Sequence, residues 1–385
     1  MTYHLVLPHQ RKIVSSKGLP LPTGGPRDAM ALLAHELSAQ VHQPPAPGVA
    51  LSAADSLRAK VLPRGDWWAL ARQVQAKTGP QDTVFCSSEA GGFQLAAVCA
   101  EKARRPRLAV FVHNVDRPRT RFALKWWHMA ERVDLFLACS TQQVAFLRTF
   151  LNLPAERVQL VWDHTDTRFF TPGLVSPDKR RPLIVSVGLE QRDYKTLAAA
   201  TGDLDIDVRI SGFSKDAAAL AKTFPATLPA NMDRRFYAWD ELLQLYRDAD
   251  AVVVSCRENR YAAGVQSLME GMACGRPVIA TATEGLKSYL NDEVVRQVPP
   301  GNAADLRQAI LQTLAEPALA ARQASQGRAL ALQRHDMARY VKDIADALRG
   351  LTRPPMALPD TPPGAMPLAP PPALATTAQT AVGKP

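Results

Sequence analysis

Two periodicities alternate along this chain. Short apolar runs read as buried strands: Tyr3–Pro8, Thr83–Cys86, Leu108–Val112, Leu135–Cys139 and Val158–Trp162. Between them, apolar positions fall three and four apart, the spacing of one helix face. Met30, Leu33, Ala34 and Leu37 form such a stripe in a helix predicted from Pro26 to about Gln40, with Thr23 as its cap. Further helices are predicted over Asp66–Lys77, from Gly91 and Gly92 to about Ala103, over Phe122–Arg132 and over Gln142–Phe150. Val49–Leu51 and Lys60–Pro63 read as short strands.

The alternation stops at residues 163–181, where Pro172, Gly173, Pro177 and Lys179-Arg180-Arg181 make a linker. It then restarts. Strands are predicted at Leu183–Val187, Asp207–Ser211, Ala251–Ser255 and Val278–Ala280. Helices are predicted at Tyr194–Thr201, Lys215–Phe224, Asp240–Arg247, Gly285–Leu290 and Ala303–Leu314, then from Pro317 to about Arg349. Strands alternating with helices of this size specify an α/β fold of two doubly wound, Rossmann-like domains. The expected organisation is a first domain over 1–165, a linker over 166–182 and a second domain over 183–335. A C-terminal helix over 336–350 packs back on the first domain. A Pro- and Ala-rich tail over 351–385 carries too little charge and too few large apolar residues to build a core, and reads as disordered. Two such domains leave a central cleft at the carboxyl ends of their strands, where α/β sheets bind ligands.

Composition narrows the picture. The chain has 385 residues, 46% hydrophobic and 21% charged, with no run of about 20 apolar residues to span a membrane. The N-terminus does not read as a signal peptide. Cys86, Cys99, Cys139, Cys256 and Cys274 show no paired spacing, which predicts reduced thiols and a cytoplasmic protein without disulfides or zinc. The net charge of +10 suits nucleic acid, an anionic membrane face or phosphorylated substrates. Arg104, Arg105, Arg107, Arg117, Arg119, Arg121 and Lys125 concentrate part of it in the first half. Without zinc spacing, an aromatic-rich RNA signature or a basic helix-turn-helix pattern, nucleic acid is not expected as a partner. Trp126 and Trp127 beside Lys125 read as core, with an interfacial anchor as the alternative.

The densest chemistry lies at residues 261–281, Tyr-Ala-Ala-Gly-Val-Gln-Ser-Leu-Met-Glu-Gly-Met-Ala-Cys-Gly-Arg-Pro-Val-Ile-Ala-Thr. Small residues lead into a helix that Gly275 and Pro277 stop. Val265, Leu268, Met269 and Met272 share its core face, and Glu270 lies off that stripe, so the acid needs a partner. An internal ion pair would serve, and so would the hydroxyls of a ligand. The other strand-end candidates are His113, Gly188 to Arg192, Gly212 and Arg257 to Gly264; Gly24 and Gly25 sit in a glycine turn before the first helix. Asp-x-Asp spacings at Asp203, Asp205 and Asp207 and at Asp248 and Asp250 fall where the chain enters a strand, away from the cleft. They read as turn residues, and no metal site is expected.

The stretch 261–281 resembles the C-terminal signature of GT-B glycosyltransferases, specifically the retaining family 4: small residues, then Glu-x-Met-Ala-x-Gly-x-Pro-Val-Ile. Four further segments resemble that family in order: Asp166 to Pro172, Ser186 to Leu197, Leu245 to Asp250 and Val298 to Asn302. The resemblance implies a first domain for the acceptor and a second for a nucleotide-diphosphate-sugar donor, the sugar passing to a glycan, lipid-linked or small-molecule hydroxyl acceptor. It implies no cofactor and no metal. It gives Glu270 to the ribose, Arg192 to the diphosphate, and His113 to the donor sugar, these three being the expected catalytic residues. It gives Gly24, Gly25, Gly188, Gly212, Glu258, Ala263, Gly264 and Val265 to donor binding, with Ala263, Gly264 and Val265 presenting backbone amides. Peripheral attachment to the inner face of an anionic membrane is a further expectation.

The sequence also departs from that family. Ala262 stands where a second acid often lies, with Glu258 nearby but offset. Leu189 stands where an Arg usually follows the strand-end glycine, leaving the diphosphate short of a cation unless Arg257 or Arg260 supplies it. A non-catalytic nucleotide-sugar binder or assembly protein on the same scaffold is the rival reading.

Overall fold

The computed structural model describes residues 1–9, 24–45, 51–60, 64–102, 104–212 and 223–351. The first unit contains β1 (Tyr3–Val6), α1 (Ala29–Glu36), β2 (Gln40–His42), α2 (Ala53–Arg58), α3 (Gly65–Lys77), β3 (Thr83–Cys86) and α4 (Glu89–Cys99). It continues with β4 (Arg107–Val112), α5 (Pro118–Trp126), α6 (Met129–Arg132), β5 (Leu135–Ala138), α7 (Thr141–Phe150) and β6 (Val158–Leu160). Its six strands run parallel in the order β2-β1-β3-β4-β5-β6. Helices cover both faces, so β3, β4 and β5 are buried along their whole length and read as continuous apolar runs.

The second unit repeats the plan. It contains β7 (Leu183–Val187), α8 (Tyr194–Thr201), β8 (Asp207–Ser211), β9 (Met232–Arg234), α9 (Trp239–Asp248), β10 (Ala251–Val254), α10 (Val265–Ala273), β11 (Val278–Thr281), β12 (Val295–Val298), α11 (Ala303–Ala315) and α12 (Pro317–Arg334). Its sheet is again six-stranded and parallel, ordered β12-β11-β10-β7-β8-β9. Strand order reverses between β1 and β3 in the first sheet and between β7 and β10 in the second, and ligands bind beyond the strand ends at such a reversal. The last helix, α13 (Met337–Arg349), leaves the second unit. Its Tyr340, Val341, Ile344 and Leu348 join a core with α1, Leu5, Phe85 and Phe111 of the first unit.

Several expectations change. The three strands missing from the sequence reading, β2, β9 and β12, are all sheet edges, where a strand is short and of mixed polarity. The helix expected from Pro26 starts at Ala29, because Asp28 caps it by accepting from the amides of Met30 and Ala31; Thr23 lies outside the described residues. The helix expected over 122–132 begins at Pro118 and breaks at His128, which adopts a left-handed conformation. The strands expected at 49–51 and 60–63 fall partly outside the described residues, and Ser52 instead caps α2. The helix expected over 215–224 also falls largely outside them. Gly285–Leu290 tightens to a single turn at Lys287–Tyr289. The long C-terminal helix splits where Thr165 pairs with Asp336 and the chain crosses back to the first unit.

Contacts between the units run from residues beyond the carboxyl ends of strands, so the two sheets present those ends to each other. Tyr289 donates its hydroxyl hydrogen to the Cys139 carbonyl and accepts from the Asp163 amide at 3.1 Å. Thr141 and Gln142 bond Ser288. The Arg117 guanidinium lies 5.6 Å from the centre of the Tyr261 ring, and Arg260 lies 3.8 Å from Asp116. Arg27 clamps Asp166 with its backbone amide at 2.8 Å and its guanidinium fork, anchoring the loop before α1 to the linker.

Candidate functional site

The loops after β7 and β10 meet at the strand reversal of the second sheet. An antiparallel bridge joins Arg192 to Cys256, the Asp193 amide donates to the Ser255 carbonyl, and the Arg257 amide donates to Gln191. Gly188 turns the first loop at φ +102°, and its amide ties to Ser211 at the end of β8, next to Gly212. Gly264 opens α10 at φ +97°, and a Cβ there would meet Val254 Cγ1 at 2.6 Å and Arg192 Nη1 at 3.2 Å. A residue with a side chain would be both strained and overpacked at that point.

Arg192 lies at the centre of this arrangement, but not as expected. Its Nε and Nη2 donate to the Val187 carbonyl at 2.9 and 2.6 Å, and Nη2 also donates to Ser267 Oγ at 2.7 Å. Nη1 donates to the Glu190 carbonyl at 3.1 Å and to Cys256 Sγ at 3.4 Å. A guanidinium has five N–H donors, and here each is directed at a protein acceptor in a buried position. Arg192 therefore holds the β7 loop against α10 from beneath and has no donor left for a phosphate.

Glu270 sits one turn beyond Ser267 and is buried. Its Oε2 accepts from the Tyr246 hydroxyl at 2.6 Å, and Oε1 accepts from Gln266 Nε2 at 3.3 Å. Burial pushes its carboxyl up to about 7, against the pull of those two donors and the Arg192 charge. Each oxygen keeps a second lone pair for a further donor. The expectation that Ala263 and Val265 present free amides is corrected: Ala263 N–H donates to the Tyr261 carbonyl and Val265 N–H to the Ala262 carbonyl. The open donors at the start of α10 are the amides of Gly264, Gln266 and Ser267, for which no acceptor occurs among the described residues. The Val265 side chain packs in the core.

The remaining candidates divide. Glu258 is exposed and fastens a loop, its Oε1 accepting from the amides of Asn259 and Glu284 at 3.1 and 3.0 Å. Gly212 is covered by Arg234, whose Nη2 donates to its carbonyl at 3.0 Å. Gly24 faces open space. A Cβ on Gly25 would lie 2.7 Å from Trp239 Cδ1, so the close approach at this glycine is to an indole of the second unit. His113 is half exposed at the end of β4, held by a residue the sequence reading missed. Glu89, the first residue of α4, accepts from the His113 amide and from Nδ1 at 3.2 Å, and from the Asn114 amide at 3.2 Å. Desolvation opposes the imidazolium, but the Glu89 hydrogen bond and the charges of Glu89 and Asp163 together raise His113 above its ordinary value. A lone acid at a strand–helix junction was the only sequence signal for Glu89. Tyr246 and Tyr261 were also missed; Tyr261 donates to the Glu190 carboxylate beside the Arg192 loop.

At the opposite ends of the strands, the paired aspartates are held by cations and amides. Asp203 bonds Arg307, Asp207 bonds Arg181, and Asp250 bonds Lys179 and the Leu183 amide.

Residues 191–316 match the family described as Glycosyl transferases group 1, a span that includes Arg192, Glu258, Gly264 and Glu270. None of the curated proteins compared matches the chain. Solved structures match over nearly its whole length. Sucrose-phosphate synthase from Thermosynechococcus elongatus aligns with a TM-score of 0.68 at 17% identity, covering 91% of this chain and 99% of that one. HepE from Anabaena, in complex with UDP and glucose, aligns with a TM-score of 0.65 at 17% identity, covering 90% and 99%. The α,α-trehalose 6-phosphate synthase from Burkholderia multivorans aligns with a TM-score of 0.62 at 12% identity, covering 91% and 96%. The chain shares the two-domain GT-B fold of these enzymes.

Proposed function

We propose that this chain is a retaining, metal-independent glycosyltransferase that moves a sugar from a nucleotide diphosphate to a hydroxyl acceptor. The observation that carries this reading is the meeting of Glu270, the open amides of Gln266 and Ser267 and the β7 loop at one strand reversal. The group 1 match over the same residues supports it. Anabaena HepE is seen with UDP, with UDP and glucose and with UDP-glucose, which makes a uridine diphosphate sugar the first donor to test.

In this reading the diphosphate lies at the start of α10, where free amides and the helix dipole favour negative charge. Arg192 being spent, the cation is Arg257: it follows β10, its Nη2 touches Gln191 Oε1 at 3.3 Å, and its Nε and Nη1 have no partner among the described residues. Glu270 accepts from the ribose hydroxyls, and His113, steadied by Glu89, meets the sugar. The bond from anomeric carbon to diphosphate oxygen breaks, the acceptor hydroxyl attacks the same face, and its proton passes to the departing phosphate. Charge gathers on that phosphate as the bond breaks, so fixed donors there stabilise the transition state more than the ground state.

A ribose hydroxyl donates best to an ionised carboxylate. Nucleotide affinity should therefore rise as pH increases through about 7, the value for unliganded Glu270, and this rise should be absent in Glu270→Gln. A thermal-shift screen of nucleoside diphosphates checks binding, a ligand at about 100 times its Kd stabilising by about 2.7 kcal/mol. Donor turnover unchanged in Glu270→Ala would remove the assigned role. The rival, a non-catalytic nucleotide-sugar binder, is favoured by Ala262 in the second acid's place and by the engaged carboxylate of Glu258. Binding without turnover across a panel of acceptors would select it.

A further inference from the structure

From sequence, Trp126 and Trp127 read as core, with an interfacial anchor as the alternative. The fold separates them. Trp127 packs beside Trp68 in the first unit's core, whereas Trp126 is 56% exposed and Phe122, one turn earlier on α5, is 51% exposed. Their rings stack at 5.1 Å on the outer face of the helix. On the neighbouring α7 a second stacked pair, Phe146 and Phe150 at 5.0 Å, is half buried against the first unit's core. Cations join the two pairs: Arg121 lies 5.1 Å from the Phe146 ring centre, and Lys125 Nζ lies 4.9 Å from that of Phe150. The result is a face with two exposed rings, Phe122 and Trp126, beside basic side chains that lie over two half-buried ones.

Its charge has one sign. Residues 117–130 carry Arg117, Arg119, Arg121 and Lys125, residues 141–152 carry Arg148, and neither stretch contains an acid until Glu131 follows the first. Asp116 is engaged by Arg121. Arg119, Lys125 and Arg148 have no carboxylate partner among the described residues. By contrast Arg105, counted with this group from sequence, is buried and bonded to Asp134, so it does not belong to the face. No helix among the described residues is long and apolar enough to cross a membrane.

We infer that the α5–α7 face docks on an anionic lipid bilayer. Exposed aromatic rings that leave water for the headgroup region, flanked by long cations, have the chemistry of an interfacial anchor. The cations add electrostatic attraction to acidic headgroups. The same helix opens at the cleft: α5 starts five residues after His113, Arg117 stacks on Tyr261 across the units, and Trp126 lies about 12 Å further along the axis. Docking by this face brings the cleft mouth beside the bilayer, where a lipid-borne acceptor could enter it. The docking itself does not rest on the proposed transferase activity.

The test is flotation of the full chain with vesicles of phosphatidylcholine alone or mixed with phosphatidylglycerol, at low and high salt. The wild type should float only with the acidic vesicles and less at high salt. Phe122→Ser/Trp126→Ser and Arg119→Glu/Lys125→Glu should each weaken binding about tenfold or more. Unchanged melting temperatures and unchanged nucleotide thermal shifts would show that both variants fold and that the donor site is intact, whichever way flotation comes out. Flotation absent with both vesicle types, equal on both, or untouched by either variant would overturn the inference. So would binding to an oligonucleotide that is lost in the charge variant but kept in the aromatic one, or a concentration-dependent dimer that the aromatic variant abolishes.

Discussion

Arg192 carries five N–H donors, and each meets an acceptor inside the second unit. Its neighbourhood in sequence pointed to a phosphate, because a cation at a strand end before a helix has little reason to be there without an anion. Burial settled the matter otherwise: the side chain folds back under Gly188 and Gly264, whose missing Cβ atoms leave it room. Removing it should leave the Val187 and Glu190 carbonyls and two side-chain acceptors, Ser267 Oγ and Cys256 Sγ, without their donor. We expect Arg192→Ala to cost about 3 kcal/mol or more in urea unfolding. Its nucleotide binding should fail only as far as the fold does. Arg257→Ala should do the reverse, keeping stability within about 0.5 kcal/mol while weakening diphosphate binding. A stable Arg192→Ala protein that had lost nucleotide binding would restore the direct contact.

At the scale of elements, α10 is legible almost residue by residue. Val265, Leu268, Met269 and Met272 pack in the second core as their spacing requires, and the helix ends before Gly275. What the spacing did not reveal was the conformation of its entry. Ala263 and Val265 turn their amides back on the chain, leaving the next two amides open. That turn depends on Gly264. Gly264→Ala should lower stability by about 2 kcal/mol or more, through a left-handed backbone and a Cβ pressed on Val254. Thermal unfolding measures it, and an unshifted melting temperature would mean the entry can take another shape. The three missed strands share one cause. β2, β9 and β12 are edge strands whose few residues carry mixed polarity, too short for a period to register.

In the whole molecule, the two units are held by a small set of polar contacts, from the buried Tyr289–Cys139 bond to exposed ones such as Thr141–Ser288, and by α13. Tyr289 is the most constrained of these, bonding Cys139 and Asp163 of the first unit at once and packing its ring against Trp162 and His335. Burial raises its hydroxyl well above the ordinary range, with Cys139 and Asp163 adding to the effect, so it stays neutral and keeps its donor. Tyr289→Phe should leave the Asp163 amide and the Cys139 carbonyl unpaired, costing about 1–3 kcal/mol. Faster hydrogen exchange at the Asp163 amide, with the second unit's β10 amides still protected, would report looser docking of the units. Equal protection at both would show that Tyr289 does not govern it.

The sequence by itself determined the α/β alternation, the presence of two such units and the core face of α10, because these follow from local periodicity and from turn residues that act within a few positions. Glu270 was legible for the same reason: an acid off a core stripe needs a partner wherever the helix goes. Only tertiary structure decided what that partner is in the unliganded chain, Tyr246, since the hydroxyl arrives from a helix 24 residues away in sequence. Only it separated Trp126 from Trp127, adjacent residues that a helix turns to different sides. Only it assigned Arg192 to the interior, Glu89 to His113 and Tyr289 to the interface. A side chain's job depends on what surrounds it in space, and the spacing of apolar residues carries no record of that.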